Sequence, residues 1–249
     1  MNMLEKILKR KKEEVKSIKV AYQKRENTHA FLYALQREGL SVIAEIKRKS
    51  PSKGNINLNL DPQSLAKEYE KGGAAAISVL TDFEGFGGTI SDLKLVKQES
   101  KVPILQKDFI IDPIQISEAI AAGADAILLI VGALKERTGE FIQLAEEQGI
   151  DTLVEIHGEE ELKIAAEAGA KIIAINNRDL RTFQVDLEHS IRLAKRLPKE
   201  CVKVAASGVK TVDEARCLYK EGFDAMLIGE TLVKAESPTK MIEEMNDIR

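Results

Sequence analysis

From Val42 to the end of the chain, short apolar runs alternate with longer stretches in which apolar residues return every three to four positions. The runs predict strands at residues 42–46, 75–80, 103–106, 126–131, 152–156, 172–176, 202–206 and 225–228. They are apolar almost throughout, whereas a strand with one wet face would alternate, so they fit parallel strands covered on both faces. Eight such strands separated by helical segments predict an α/β fold, a closed (β/α)8 TIM barrel.

An internal repeat supports the barrel. Gly72-Gly73-Ala74-Ala75-Ala76-Ile77, Ala122-Gly123-Ala124-Asp125-Ala126-Ile127, Ala168-Gly169-Ala170-Lys171-Ile172-Ile173 and Glu221-Gly222-Phe223-Asp224-Ala225-Met226 each place a glycine where a helix should stop, two or three residues before a strand. Gln148-Gly149-Ile150-Asp151 is a looser fifth copy. A doubly wound sheet would instead carry a GxGxxG turn after an early strand, and none is present. Gly85, Gly87 and Gly88 lack that spacing and predict a flexible loop after the second strand.

Ahead of the barrel, Leu4, Ile7, Leu8, Val15 and Ile18 mark an amphipathic helix amid Lys and Glu, and a second helical stretch covers residues 30–36. Residues 1–40 are therefore expected as a helical extension of one barrel domain spanning 1–249. This extension either packs outside or below the barrel or covers its active end.

Charge and cysteine usage narrow the function classes. The formal net charge is −3, so nothing at the level of the whole chain favours nucleic acid or an anionic membrane, and any attraction for an anion must be local. Cys201 and Cys217, with His29, His157 and His189, lie in no ligand spacing, which argues against a metal site. The N-terminus shows no signal-peptide pattern, and no apolar stretch reaches the roughly 18 to 20 residues needed to span a bilayer. The expected location is the reducing cytoplasm.

Chemistry in such a barrel collects where the strands end. Strand one ends in Glu45 and Lys47, whose i, i+2 spacing puts both on one face, with Arg48, Lys49 and Lys53 close behind. Strand three ends in Lys107, strand five in Glu155, and strand six in Asn176, Asn177 and Arg178. A lysine ending a buried strand is partly desolvated and serves as a proton donor near neutral pH, unless a salt bridge to Asp108 or another acid holds it. Glu155 is either its partner in chemistry or a structural ion pair. His157 reads as a hydrogen-bonding neighbour more readily than as a general base, and Asp179 and Asp186 as capping or loop carboxylates. The turns Ser207-Gly208-Val209 and Gly229-Glu230-Thr231 offer main-chain N–H groups to a phosphate.

With these residues in place, the chain resembles the indole-3-glycerol phosphate synthase family over nearly its whole length. The resemblance rests on Glu45-Ile46-Lys47-Arg48-Lys49-Ser50-Pro51-Ser52, Ile77-Ser78-Val79-Leu80-Thr81-Asp82, Pro103-Ile104-Leu105-Gln106-Lys107-Asp108-Phe109-Ile110, Leu153-Val154-Glu155-Ile156-His157 and Ile175-Asn176-Asn177-Arg178-Asp179-Leu180. It implies ring closure of 1-(2-carboxyphenylamino)-1-deoxyribulose 5-phosphate with loss of carbon dioxide and water, a carboxy-lyase step of tryptophan biosynthesis without metal or organic cofactor. It further implies Lys107 as general acid and Glu155 as proton partner, with Lys47, placed by Glu45, sharing proton transfer. Asn176 and Arg178 would orient the substrate, and Ser50 and Ser207 would hydrogen-bond it. Gly208, Gly229 and Glu230 would meet the phosphate, and Phe86, Leu128 and Leu180 would line the anthranilate pocket. The expected partner is a small phosphorylated substrate, and the expected state a monomer or weak homodimer.

The chain departs from the family pattern at Ala206, where Glu is usual before Ser-Gly, and at Gly85, Gly87 and Thr89 in the loop after strand two. Ala206 motivates an alternative, a barrel that binds the ligand with impaired turnover. A second alternative, a phosphoribosylanthranilate isomerase, is opposed by the segment at 45–52 and by the N-terminal extension.

Overall fold

In a computed structural model describing residues 3–179 and 184–249, each apolar run becomes a strand. The strands are β1 Ser41–Ile46, β2 Ala76–Leu80, β3 Ile104–Lys107, β4 Ala126–Ile130, β5 Asp151–Ile156, β6 Ile172–Asn176, β7 Val202–Ala206 and β8 Ala225–Ile228. Each pairs in parallel with its neighbour in sequence, and β8 returns to β1, closing an eight-stranded barrel. The predicted bounds hold within a residue or two. β4 stops at Ile130 because Val131 opens a four-residue helical turn, and β3 runs on to include Lys107.

Alternation along each strand explains why the runs are continuous. One face carries Val42, Ala44, Val79 and Ile127 into a layer with helix residues such as Tyr69, Phe141, Leu218 and Ile242. The other carries Ile43, Ala76, Leu105, Leu128, Leu153, Val204 and Leu227 into the barrel interior. Two residues further along that inner face lie Glu45, Lys107, Glu155, Asn176 and Ala206, so apolar layers end in a polar rim.

Glycines of the repeat do end helices: Gly73, Gly123, Gly149, Gly169 and Gly222 all have positive φ. At Gly149 a second constraint applies, since a Cβ there would overlap the Arg25 carbonyl oxygen.

The N-terminal extension divides between the two ends of the barrel. Its helix α2, Ala30–Leu35, buries Phe31 and Leu35 against Ile43, Ala76 and Val202, sealing the N-terminal foot. His29 Nδ1 lies 2.8 Å from Asp151 Oδ1, and the Leu32 N–H donates to Asp151 Oδ2 at 3.1 Å, tying α2 to the start of β5. Helix α1, Met3–Glu14, instead crosses the C-terminal rim.

The glycines after β2 do not form the flexible loop expected of them. Phe83–Phe86 is a helical turn capped by Asp82, which accepts from the Gly85 N–H at 2.9 Å, and Gly87 ends it at φ 71°. Gly88 passes so close to Leu80 that a Cβ would overlap its carbonyl oxygen. Thr89 and Asp92 then form a capping box, and Arg48 holds Asp92 through two bonds of 2.8 and 2.9 Å. Among the described residues, no helix is long and apolar enough to cross a membrane.

Candidate active site

A cavity of about 560 Å³ opens at the C-terminal ends of the strands. Every site residue expected from the sequence lines it except Leu180, which lies outside the described residues.

At the end of β1, Glu45 and Lys47 emerge on one face and form an ion pair, and the Tyr69 hydroxyl donates to the Glu45 carbonyl at 3.2 Å. Across the rim, Lys107 Nζ faces Glu155 Oε2 at 3.6 Å. Asp108 is not the partner of Lys107, because it accepts from the Thr81 hydroxyl at 2.6 Å and from Lys11 at 2.6 Å.

These neighbours decide the charge states. Burial would push the Lys107 ammonium down, but Glu155 and Glu45 outweigh it and its pKa is raised. Burial would likewise raise Glu155, but Lys107, His157 and the hydrogen bond from Asn176 hold it below the usual carboxylate range. The lysine is thus held in its ammonium form by its acidic partners, with a raised and not a lowered pKa. Asn176 is fixed at both ends of its amide: Nδ2 donates to Glu155 Oε1 at 3.0 Å, and Oδ1 accepts from the Arg178 N–H at 3.0 Å.

The β7 and β8 side of the cavity, next to Glu45 and Lys47, is built from two turns. After β7, Ser207 adopts φ 68° and Gly208 φ 92°, and Asn177 Nδ2 holds the bend by donating to the carbonyls of Ala206 and Ser207 at 3.1 and 2.9 Å. A non-glycine residue in the left-handed region is a strained conformation of the kind that collects at functional sites. The Thr231 hydroxyl donates to the Val209 carbonyl at 2.8 Å, locking this turn to the one at Gly229-Glu230. Glu230 pairs with Lys234 at 2.7 Å.

An apolar flank completes the cavity. Phe86 stands 6.3 Å from Phe109, ring centre to ring centre, with Leu80, Leu128 and Ile130 nearby and Met3, Leu4 and Ile7 of α1 above. Ser50 belongs to a two-residue strand, Lys49–Ser50, paired with Gly54–Asn55, and brings Pro51, Ser52 and Lys53 to the mouth.

Several lining residues were not among those singled out as site residues. Lys210 and Lys234 add positive charge near the two turns, and Phe109 extends the apolar wall. A signal existed for Phe109, two residues past Lys107, and for Lys210, two past Gly208. Ala206, buried at the rim between Asn176 of β6 and Leu227 of β8, also faces the cavity.

The family model described as indole-3-glycerol phosphate synthase matches residues 3–245. The chain belongs to the indole-3-glycerol phosphate synthase family. Among similar members, the one from Exiguobacterium sibiricum is 45% identical over 254 residues, covering 100% of this chain and 98% of its own. That from Bacillus cereus is 44% identical, covering 97% of each. That from Thermoanaerobacter pseudethanolicus is 49% identical over 82% of this chain and 78% of its own. Solved structures share the fold at low identity. 3-Hexulose-6-phosphate synthase from Salmonella typhimurium superposes with a TM-score of 0.64 at 15% identity, covering 84% of this chain and 97% of that one. Thiamine phosphate pyrophosphorylase from Pyrococcus furiosus does so at 0.62 and 20%, covering 89% and 97%.

Proposed function

We propose that this rim closes the indole ring of indole-3-glycerol phosphate from 1-(2-carboxyphenylamino)-1-deoxyribulose 5-phosphate. What carries the proposal, within a chain of this family, is a loaded lysine facing an ionised glutamate across 3.6 Å, with two main-chain turns lining the same cavity.

Lys107 donates its proton to the substrate ketone as the carboxylate-bearing ring carbon attacks the carbonyl carbon, forming the new carbon–carbon bond. Loss of carbon dioxide returns the bonding pair to the ring. The resulting hydroxyl leaves as water with a second proton, supplied by Lys47, and Glu155 accepts the proton released as the indole double bond forms. Placing a cation where the carbonyl oxygen gains charge lowers the barrier most when the lysine is already held in position, which Glu155 and Glu45 do electrostatically.

Arg178 and Asn176 orient the substrate, Ser50 and Ser207 hydrogen-bond it, and the N–H groups at Gly208, Gly229 and Glu230 receive the phosphate. Phe86 and Leu128 hold the anthranilate ring. The proposal extends to a monomer or weak homodimer acting without metal on this small phosphorylated molecule in the cytoplasm, a location that suits the free thiols Cys201 and Cys217.

Following carbon dioxide release and product mass together tests the reaction. Loss of carbon dioxide and water is the expected outcome; a product of unchanged mass would mean isomerisation and contradict it.

A further inference from the structure

We propose that His157 and Glu161 form the proton path between Glu155 and bulk solvent. The inference rests on Glu155 being the proton acceptor proposed above.

His157 is the first residue beyond β5 and follows Glu155 by two; its ring meets one carboxylate oxygen of Glu155, and Lys107 faces the other. Its Nε2 lies 3.6 Å from Glu155 Oε1, and its Nδ1 lies 3.4 Å from Glu161 Oε2. The backbone fixes this order: the His157 N–H donates to Glu161 Oε2 at 2.7 Å, and His189 Nε2 is 2.8 Å from the His157 carbonyl oxygen. Side-chain exposure rises along the series, from 4% for Glu155 to 19% for His157 and 26% for Glu161, so the path leads outward. His157 Nε2 is buried with no hydrogen-bond partner, although it points at a carboxylate. Buried polar atoms are rarely left so, and one aimed at an ionised group is placed to exchange a proton with it.

The charged groups around the ring are Glu155, Glu161 and Lys107. Burial lowers the imidazole pKa, Glu161 and Glu155 raise it, Lys107 opposes them, and the balance is raised above the ordinary histidine value. An imidazole can take up a proton at one ring nitrogen and release one from the other.

The chemistry requires such exchange. Per turnover the substrate gives up a carboxylate as carbon dioxide and a hydroxyl as water, a net uptake of one proton. The proton on the Glu155 carboxyl passes to His157 Nε2, the Nδ1 proton passes to Glu161 and then to water, and the reverse order delivers an incoming proton. Only N–H and O–H bonds are made and broken.

The test compares the parent with His157→Ala, His157→Gln and Glu155→Gln in steady-state turnover, where Glu155 must lose its proton before each new cycle. His157→Ala is expected to lower kcat about 10-fold or more, with KM within about twofold, a larger solvent deuterium isotope effect, and recovery on adding imidazole. His157→Gln, which keeps a hydrogen-bonding group beside Glu161, is expected to stay folded by circular dichroism and remain slow. Rates within about twofold of the parent for both variants would overturn the proton path, as would a slowed rate that imidazole does not recover. Full activity of Glu155→Gln would remove the role of Glu155 itself, whereas an inactive Glu155→Gln beside an unaffected His157→Ala would remove only the path.

Discussion

The ammonium of Lys11 lies 2.6 Å from Asp108 Oδ1, on the residue that directly follows Lys107. It also lies 3.2 Å from Asp82 Oδ1, and all three side chains are buried. Helix α1 is thus pinned by charge to the ends of β2 and β3, and Leu4 and Ile7 are held over the cavity. Removing one partner leaves buried carboxylates short of a counter-charge. Lys11→Met is expected to lose about 3 kcal/mol of stability in denaturant unfolding, and to raise KM through a loosened roof. Lys11→Arg should lose less of both.

Three shifted groups of the site contribute to the pH dependence of stability. Glu155 is held below its ordinary 4.5, so its contribution is present above that pH and is lost as pH falls through its lower folded value. Lys107 is raised above 10.5, so its contribution is present below 10.5 and is lost as pH rises through the higher folded value. His157 is raised above 6.5, so its contribution is complete below 6.5 and fades as pH rises past it. The unfolding free energy measured against pH should therefore decline in a step at a pH above 6.5, and that step should be absent in His157→Gln.

Gly229 faces the Glu45–Lys47 pair so closely that a Cβ would overlap Glu45 Oε1 and lie 3.0 Å from Lys47 Nζ. Gly229→Ala should displace the pair while leaving its own backbone unstrained. The expected result is a fall in kcat on the order of 10²-fold, with inorganic phosphate binding retained in a titration.

The sequence reveals the barrel more fully than the extension, for a physical reason. Burial of both strand faces writes itself as continuous apolar runs, and polar residues that interrupt a run at its end, such as Glu45, Lys107 and Glu155, stand out. Helix α1 is amphipathic whichever surface it covers, so its periodicity could not say which end of the barrel it meets. What decides this is Lys11, which looks like any solvated lysine until Asp82 and Asp108, far along the chain, are brought together. The turn at Phe83–Phe86 was missed because its three nearby glycines suggested freedom, whereas the Asp82 cap and the Thr89, Asp92 box were available as contrary signals. The loaded state of Lys107 depends on Glu155 and Glu45, and no local pattern shows it.

Ala206 leaves the rim without a carboxylate at that position, yet Lys47 already has Glu45 as its partner. Turnover is therefore expected to persist in this chain, and Ala206→Glu should change kcat by less than about 10-fold, within the range of a single proton-transfer group. A variant that turns over substrate where the parent does not would identify the parent as an impaired binder.

The most direct measurement is steady-state fluorescence of indole-3-glycerol phosphate formation by the purified chain, without added metal, beside Lys107→Ala. The parent should turn over, and the variant should lose on the order of 10²- to 10⁴-fold in kcat with its fold intact. A Lys107→Ala variant as fast as the parent would contradict the assignment of Lys107 as the proton donor.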